Sequence, residues 1–217
     1  MNPDIDYGVY LVTDSRICRG RELVDVVREA VLGGVTVVQF REKECGTGEF
    51  IDRARRLKEL LDTFDVPLII NDRVEAALEI GAHGVHIGQG DMPYAQARRI
   101  LGPRAVIGLT VKTLDQVVEA ETLDVDYLGI GPVLPTQTKP DAGSPWGFSG
   151  LRRAADISRH KLVAIGSMNP ENAGRAIAAG AHGVAVVSAV CAAASPADAA
   201  RDLRRAVAMA RGQKGAV

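Results

Sequence analysis

Residues 35–43 are Val-Thr-Val-Val-Gln-Phe-Arg-Glu-Lys, an apolar, β-prone run that ends in charged side chains. Successive side chains of a β-strand point to opposite faces, so Gln39, Arg41 and Lys43 share one face and Glu42 lies on the other. One face of the predicted strand therefore becomes cationic as the strand ends. An apolar strand with two cations and an amide at its carboxyl end is typical of the mouth of an α/β barrel. A solvated charged loop after a buried strand is the alternative for this stretch taken alone.

The length and composition of the chain limit its class. At 217 residues with 47% hydrophobic content, the chain suits one α/β barrel, and we expect a single domain over residues 1–217. The formal net charge is −1, with acidic and basic residues intermixed. This balance predicts neither a nucleic-acid partner nor an anionic membrane surface, so any anion binding must be local.

The sequence contains no apolar run of about 18 residues and no basic-then-apolar leader at its start. We therefore expect a cytoplasmic protein without a membrane span. The three cysteines are widely spaced and form neither a C-x-x-C motif nor a zinc-like cluster. We expect free thiols.

Apolar β-prone runs alternate with amphipathic helical patterns along the whole chain. The run that begins at residue 35 is the second of eight predicted strands. The other seven are predicted at residues 7–13, 67–70, 85–87, 106–109, 127–130, 162–165 and 184–187. Eight strand–helix units in a chain of this size favour a closed (β/α)8 TIM barrel over an open doubly wound sheet. No G-x-G-x-x-G motif follows the first strand, which argues against a dinucleotide fold.

An internal repeat supports this count. The pentapeptide Gly-Ala-His-Gly-Val occupies residues 81–85 and again residues 180–184, each time between a predicted helix and a predicted strand. The separation corresponds to four strand–helix units. The repeated histidines, His83 and His182, precede their strands and so belong to the rim opposite the predicted site. We expect them, and His160 before the seventh strand, to be structural.

Two carboxylates follow neighbouring predicted strands, Asp72 after the third and Asp91 after the fourth. Magnesium in proteins typically binds one or two carboxylates together with water and substrate phosphate oxygens, so the pair predicts a Mg²⁺ site. Each residue is also placed where it could cap the following helix. A general acid–base pair is the other functional interpretation, but nearby cations would keep both acids ionised.

The ends of the seventh and eighth strands are the usual phosphate site of a barrel, built from backbone N–H groups. Gly166-Ser167 and Val187-Ser188, the latter followed by an alanine-rich segment, fit this pattern. A glycine turn and a serine helix cap are the alternative. No nucleophile with a partnered base stands among the strand ends, so we expect no covalent intermediate on the protein.

On these residues the sequence resembles the thiamine phosphate synthase family, from the segment at 10–14 to Val187-Ser188. The similarity covers nearly the whole chain and lies in several specific motifs in the family's order. These are Gln39-Phe40-Arg41-Glu42-Lys43, Asn71-Asp72-Arg73, His86-Ile87-Gly88-Gln89-Gly90-Asp91, Gly129-Ile130-Gly131-Pro132, Pro135-Thr136-Gln137-Thr138-Lys139 and Gly183-Val184-Ala185-Val186-Val187-Ser188.

The resemblance implies a (β/α)8 barrel that joins hydroxymethylpyrimidine diphosphate to thiazole phosphate, giving thiamine phosphate and diphosphate. It implies that Mg²⁺ binds to Asp72 and Asp91, and that Arg41, Lys43 and Lys139 assist departure of diphosphate. The pyrimidine diphosphate would contact Gln39, Phe40, Arg41, Glu42, Lys43, Asn71, Thr110 and Lys139. The thiazole phosphate would contact Thr136, Gln137, Thr138, Gly166, Val187 and Ser188.

Two positions depart from the family's usual pattern. Thr110 stands where serine is common, and Ser167 stands where a second glycine is common, so a positive φ there would strain the serine. Two other functions stay open at this point. A thiazole tautomerase would use a similar barrel without a diphosphate substrate, and a catalytically silent barrel would only bind thiamine phosphates. The oligomeric state is also left open.

Overall fold

The computed structural model describes residues 5–136 and 143–214. Its eight strands are all parallel and follow one another in chain order around a closed barrel, in which β1 pairs with both β2 and β8. The strands are β1 (Val9–Val12), β2 (Val37–Phe40), β3 (Leu68–Asn71), β4 (Gly84–Ile87), β5 (Val106–Val111), β6 (Tyr127–Ile130), β7 (Lys161–Ile165) and β8 (Gly183–Val186). The prediction of a (β/α)8 barrel is confirmed.

Helices connect the strands and cover the outside of the barrel, and two further helices follow β8. They are α1 (Leu23–Leu32), α2 (Thr47–Asp62), α3 (Val74–Ile80), α4 (Tyr94–Leu101), α5 (Leu114–Ala120), α6 (Gly147–Ile157), α7 (Pro170–Ala178), α8 (Ser188–Cys191) and α9 (Pro196–Lys214). Within residues 5–136 and 143–214, no helix is both long and apolar enough to cross a membrane.

Strand boundaries differ from the predicted ones by a few residues. β1 and β2 are shorter than expected, while β5 continues to Val111 because Thr110 and Val111 pair with Gly129 and Ile130 of β6. Apolar content alone could not indicate that a polar residue such as Thr110 would continue the strand. The pairing of neighbouring strands decides this.

The predicted alternation of side chains in β2 is confirmed. Val37 belongs to the apolar cluster inside the barrel, whereas Val38 and Phe40 pack between the strands and the surrounding helices. The rings of Phe40 and Phe50 lie 4.7 Å apart between their centroids. Because Gln39 lies two residues after Val37, its side chain points to the same face and projects into the barrel.

Glycines on the inner face leave room for two large polar side chains. A Cβ atom at Gly108 would lie 2.1 Å from Cζ of Tyr127, and one at Gly129 would lie 3.0 Å from Cε1 of His86. Tyr127 is 1% exposed, so its ring fills the interior of the barrel. The glycines are therefore required by packing against these rings.

The repeated histidines have the same structural role in both halves of the barrel. Nδ1 of His83 accepts a hydrogen bond from the backbone N–H of Leu68 at 3.2 Å, and Nδ1 of His182 accepts one from that of Leu162 at 3.0 Å. Both contacts lie at the amino-terminal ends of strands. The prediction that these histidines are structural is confirmed.

We expect Gly108→Ala to lower the free energy of unfolding by about 1–3 kcal/mol, because the added methyl group overlaps the Tyr127 ring. Gly48→Ala is the matched control. Gly48 lies in α2 with nothing within 4 Å of an added Cβ, so alanine there should stabilise the protein by about 0.5–1 kcal/mol. Chemical denaturation of the two variants measures both effects. Equal stability of Gly108→Ala and the unsubstituted protein would contradict the packing role.

Candidate functional site

A pocket opens at the carboxyl ends of the strands and extends down to Tyr10 and Tyr127 inside the barrel. Strand pairing brings together residues that are far apart in sequence, as the barrel architecture requires. The predicted site residues that line this pocket are Gln39, Arg41, Asn71, Thr110, Thr136, Gly166, Val187 and Ser188. Their contacts with a ligand stay predictions.

Other predicted site residues lie away from this pocket. Phe40 is fully buried on the outer side of β2, and Lys43 and Glu42 line a neighbouring charged depression. Glu42 accepts hydrogen bonds from the backbone N–H of Ser15 at 3.1 Å and from its hydroxyl at 2.8 Å. In this position Glu42 fastens the loop after β1 to the loop after β2. Gln137, Thr138 and Lys139 lie outside the described residues.

Arg41 stands between the pocket and the charged depression and lines both. Its backbone N–H donates to the hydroxyl of Thr13 at 3.0 Å, and its guanidinium lies 3.9 Å from the Asp14 carboxylate. Hydrogen bonds from Arg16 lower the pKa of Asp14, and the charge of Arg41 contributes to the same effect. Asp14 is therefore an anion that orients Arg41 while its stronger contacts are with Arg16.

Asp72 follows β3 and Asp91 follows β4, and the two carboxylates lie close enough for Asp91 to act on the pKa of Asp72. Burial, together with the neighbouring carboxylate and like charge of Asp91, raises the pKa of Asp72 to about 6, against smaller opposing effects of Asn71 and Lys43. Neither aspartate is a helix N-cap, since α3 begins after Arg73 and α4 after Pro93. The capping alternative is wrong for both.

The carboxylate pair fits a magnesium ion. Two adjacent carboxylates repel each other once both are ionised, and a divalent cation between them would remove this repulsion. Within the described residues there is no group of three or more His, Cys, Asp or Glu side chains that could hold a metal. Magnesium needs no such cage, because it keeps water and substrate oxygens in its remaining positions.

A chain of hydrogen bonds crosses the bottom of the pocket and includes residues that were not predicted. Gln39 Nε2 donates to the Tyr10 hydroxyl at 3.0 Å, and this hydroxyl lies 2.6 Å from that of Tyr127. His86 joins Tyr127 to Thr110, with Nδ1 2.9 Å from the tyrosine hydroxyl and Nε2 2.7 Å from the threonine hydroxyl. Because strand side chains alternate between two faces, the sequence could have placed Tyr10 of β1, His86 of β4 and Tyr127 of β6 inside the barrel.

The opposite wall of the pocket is formed by the turns after β7 and β8. Gly166 and Ser167 both have positive φ, 107° and 51°, so the expectation of a strained serine is confirmed. The Ser167 hydroxyl donates to the carbonyl oxygen of Pro135 at 2.5 Å, which joins this turn to the loop after β6. Ser188 begins the short helix α8, and Val187, which directly follows β8, is the N-cap residue of this helix.

The three cysteines bear out the expectation of free thiols. Cys18 and Cys191 are buried and Cys45 is partly exposed next to Lys43. The thiol of Cys18 donates to the carbonyl oxygen of Asp14 at 3.4 Å, a packing contact below the charged depression.

A family model described as thiamine monophosphate synthase matches residues 9–190. The thiamine-phosphate synthase of Albidiferax ferrireducens is 50% identical over 199 residues, covering 92% of this chain and 91% of that protein. The synthase of Chloroflexus aurantiacus is 46% identical over 203 residues, 94% of each chain. The solved thiamine phosphate pyrophosphorylase of Pyrococcus furiosus superposes with a TM-score of 0.87 at 36% identity, covering 94% of this chain and 97% of that one.

The raised pKa of Asp72 predicts a pH-dependent stability of the metal-free protein. The folded state holds this proton more tightly than the unfolded state, so the free energy of unfolding should fall as pH rises from about 4 to about 6. Asp72→Asn removes the charge and should stabilise the protein above about pH 7 by roughly 1–2 kcal/mol, a value reduced for solvent screening of this half-buried carboxylate, with little effect near pH 4. Denaturation in the presence of a chelator measures this difference.

Asp65→Asn is the control for the backbone. Asp65 and Asp72 share a positive φ, 54° and 61°, a conformation that asparagine tolerates, but Asp65 is exposed. Any effect of asparagine in this conformation should appear equally in both variants. If Asp72→Asn is no more stable than Asp65→Asn at neutral pH, the raised pKa of Asp72 is contradicted.

Proposed function

This chain is an enzyme of the thiamine monophosphate synthase family, and on that premise we propose that it joins hydroxymethylpyrimidine diphosphate to thiazole phosphate, releasing diphosphate. The observation that carries the proposal is the arrangement of the pocket. Arg41 and Asn71 line one side of it, with Lys43 and the Asp72–Asp91 pair on the loops that follow β2, β3 and β4, and the turns after β7 and β8 line the other side. Two phosphate-bearing ligands would thus face each other over the hydrogen-bonded floor of the pocket.

The diphosphate belongs at the side of β2 to β4. Arg41 and Lys43 supply positive charge there, and Asn71 lies beside Asp72 with an amide that can donate to a phosphate oxygen. Lys139 joins this set by the family resemblance alone, and Gln137 and Thr138 join the thiazole phosphate set on the same ground. Phe40 and Glu42 would support this wall of the site by packing and by the hydrogen bonds to Ser15.

Asp72 and Asp91 would hold Mg²⁺ at this end. A bound magnesium ion supplies positive charge that neutralises diphosphate oxygens as negative charge develops on them. The two aspartates would then be ionised together, because the charge of the cation offsets the burial and the like charge of Asp91 that raise the pKa of Asp72.

The thiazole phosphate belongs at the side of β7 and β8. The backbone N–H groups near Gly166 and Ser188 offer donors for a phosphate, and Thr136 lines the wall between the two sites. Val187 gives this end an apolar contact for the thiazole ring. This part of the site would orient the thiazole nitrogen toward the reacting carbon, a contribution of position and not of acid–base chemistry.

The reaction would begin with cleavage of the carbon–oxygen bond to diphosphate, whose electron pair leaves with the oxygen. The positive charge that remains spreads into the pyrimidine ring. The lone pair of the thiazole nitrogen then forms the new carbon–nitrogen bond. Cationic side chains aimed at the departing diphosphate stabilise the charge separation of this transition state, and no protein nucleophile is needed.

Incubation of the protein with both substrates and Mg²⁺ tests the proposal, with thiamine phosphate and diphosphate measured together. The proposed function requires both products in equal amounts. A tautomerase would alter thiazole phosphate without releasing diphosphate, and a silent binding protein would bind the ligands without turnover. Either result would overturn the proposed activity.

We expect Asp91→Asn to lower kcat/KM by at least about 100-fold in the presence of Mg²⁺, because one metal-binding carboxylate is lost. The folded structure should persist, since an asparagine oxygen can still accept the hydrogen bond that Asp91 receives from the Gly88 backbone N–H at 2.7 Å. Binding of thiazole phosphate, measured by calorimetry, should be unchanged. Asp65→Asn serves again as a distant control. Unchanged activity of Asp91→Asn would contradict the metal assignment.

An electron-withdrawing substituent on the pyrimidine that still fits should slow the chemical step strongly while changing affinity little. The reason is that charge builds in the ring before the thiazole attacks, and each 1.36 kcal/mol added to the barrier lowers the rate by about tenfold. We expect a loss of more than about 100-fold in single-turnover rate. A change of less than about threefold would indicate direct displacement instead.

A further inference from the structure

The hydrogen-bond chain from Gln39 to Thr110 has a single direction, and from this direction we infer that Tyr10 and Tyr127 are positioning residues that make the pocket select an aminopyrimidine over an oxopyrimidine. The inference rests on the proposed function and adds the basis of its ring specificity. Five side chains from five strands take part in the chain. Tyr10 and Tyr127 are each 1% exposed, so water cannot replace these contacts.

The Gln39 amide sets the direction at one end. Its Nε2 is a donor only, so the Tyr10 hydroxyl accepts from Gln39 and must use its own hydrogen toward Tyr127. The Tyr127 hydroxyl, having accepted from Tyr10, donates in turn to Nδ1 of His86. Burial raises the pKa of both tyrosines well above the ordinary value, so both keep the hydrogen that the chain requires.

His86 passes the direction on to Thr110. Because Nδ1 accepts from Tyr127, the neutral imidazole carries its hydrogen on Nε2, which donates to the Thr110 hydroxyl. The hydroxyl hydrogen of Thr110 is then available to a ligand. Thr110 and Gln39 both line the pocket, so both ends of the hydrogen-bond chain can contact a ligand bound there.

The other end presents the opposite chemistry. One hydrogen of Nε2 is committed to Tyr10. The carbonyl oxygen Oε1 of Gln39 is not among the buried unpaired atoms of the described residues, so this oxygen is open to the pocket. The pocket therefore shows an acceptor at Gln39 and a donor at Thr110. An exocyclic amine satisfies the first and an unprotonated ring nitrogen satisfies the second.

An oxo group in place of the amine would put a carbonyl oxygen against Gln39 Oε1. Two acceptors facing each other leave both without a hydrogen bond, and an unmade buried hydrogen bond is costly. Gln39 could turn its amide only by breaking its contact with Tyr10, and the whole chain would then have to reverse. Tyr10 and Tyr127 thus act through Gln39 and Thr110 and need not contact the pyrimidine ring themselves.

Two unreactive ligands test the inference. Both carry a pyrimidine ring with a diphosphonate arm, in which a methylene group replaces the oxygen of the breakable bond, and they differ only in a 4-amino or a 4-oxo group. Calorimetry should show that the unsubstituted protein binds the amino compound at least about tenfold more tightly. Tyr127→Phe and Tyr10→Phe should each reduce this preference to about threefold or less, since either change breaks the chain.

Tyr7→Phe is the matched control. The Tyr7 ring packs 4.8 Å from that of Tyr127 in the same interior cluster, and the four hydrogen bonds of the chain join other side chains. This variant should keep the full preference for the amino compound. If both Tyr10→Phe and Tyr127→Phe also keep it, or if the unsubstituted protein prefers the oxo compound, the inference is overturned. If the unsubstituted protein does not turn over the natural substrates, the proposed function fails instead.

The imidazole tautomer provides a measurement that requires neither activity nor a ligand. Long-range proton–nitrogen NMR spectra distinguish Nε2–H from Nδ1–H, and a His86→Gln variant assigns the signal among the four histidines. We expect the Nε2–H form in the unsubstituted protein and a mixture in Tyr127→Phe. An Nδ1–H form in the unsubstituted protein would mean that the chain runs in the opposite direction and would overturn the inference.

Discussion

Closure of the sheet sends every second strand residue into one interior of fixed size. In an open sheet each of these side chains would need only a local partner, but in a barrel all eight strands share the same space. Here two tyrosines and a histidine fill much of that space, and glycines at positions 108 and 129 of the neighbouring strands accommodate them. The large rings fit only because the residues beside them are glycines.

Polar groups in such an interior must satisfy one another. The tyrosine hydroxyls, the Gln39 amide and the imidazole form a continuous chain, because an unpaired polar atom at this depth would be destabilising. The same requirement fixes which atoms are left for a ligand. The floor of the pocket is thus stiff and directional, while the charged rim above it can respond to what binds.

The rim collects charges that stability alone would not place together. Asp72 and Asp91 are held side by side on short turns, one of them with positive φ, and burial together with the like charge of Asp91 raises the pKa of Asp72. Strain and repulsion of this kind are typical of binding sites, where a ligand or cation relieves them. Ser167, also at positive φ, occupies the corresponding turn on the opposite side of the pocket.

The sequence by itself determined the number of strands, their closed order and most of the pocket wall, since periodicity and strand ends depend on local chemistry. It also placed Gln39, Asn71 and Thr110 at the mouth. Only the tertiary structure decided that Glu42 turns toward Ser15, that neither aspartate caps a helix, and that Tyr10, Tyr127 and His86 form one chain. These facts depend on distances between strands that are far apart in sequence, and no local pattern encodes such distances.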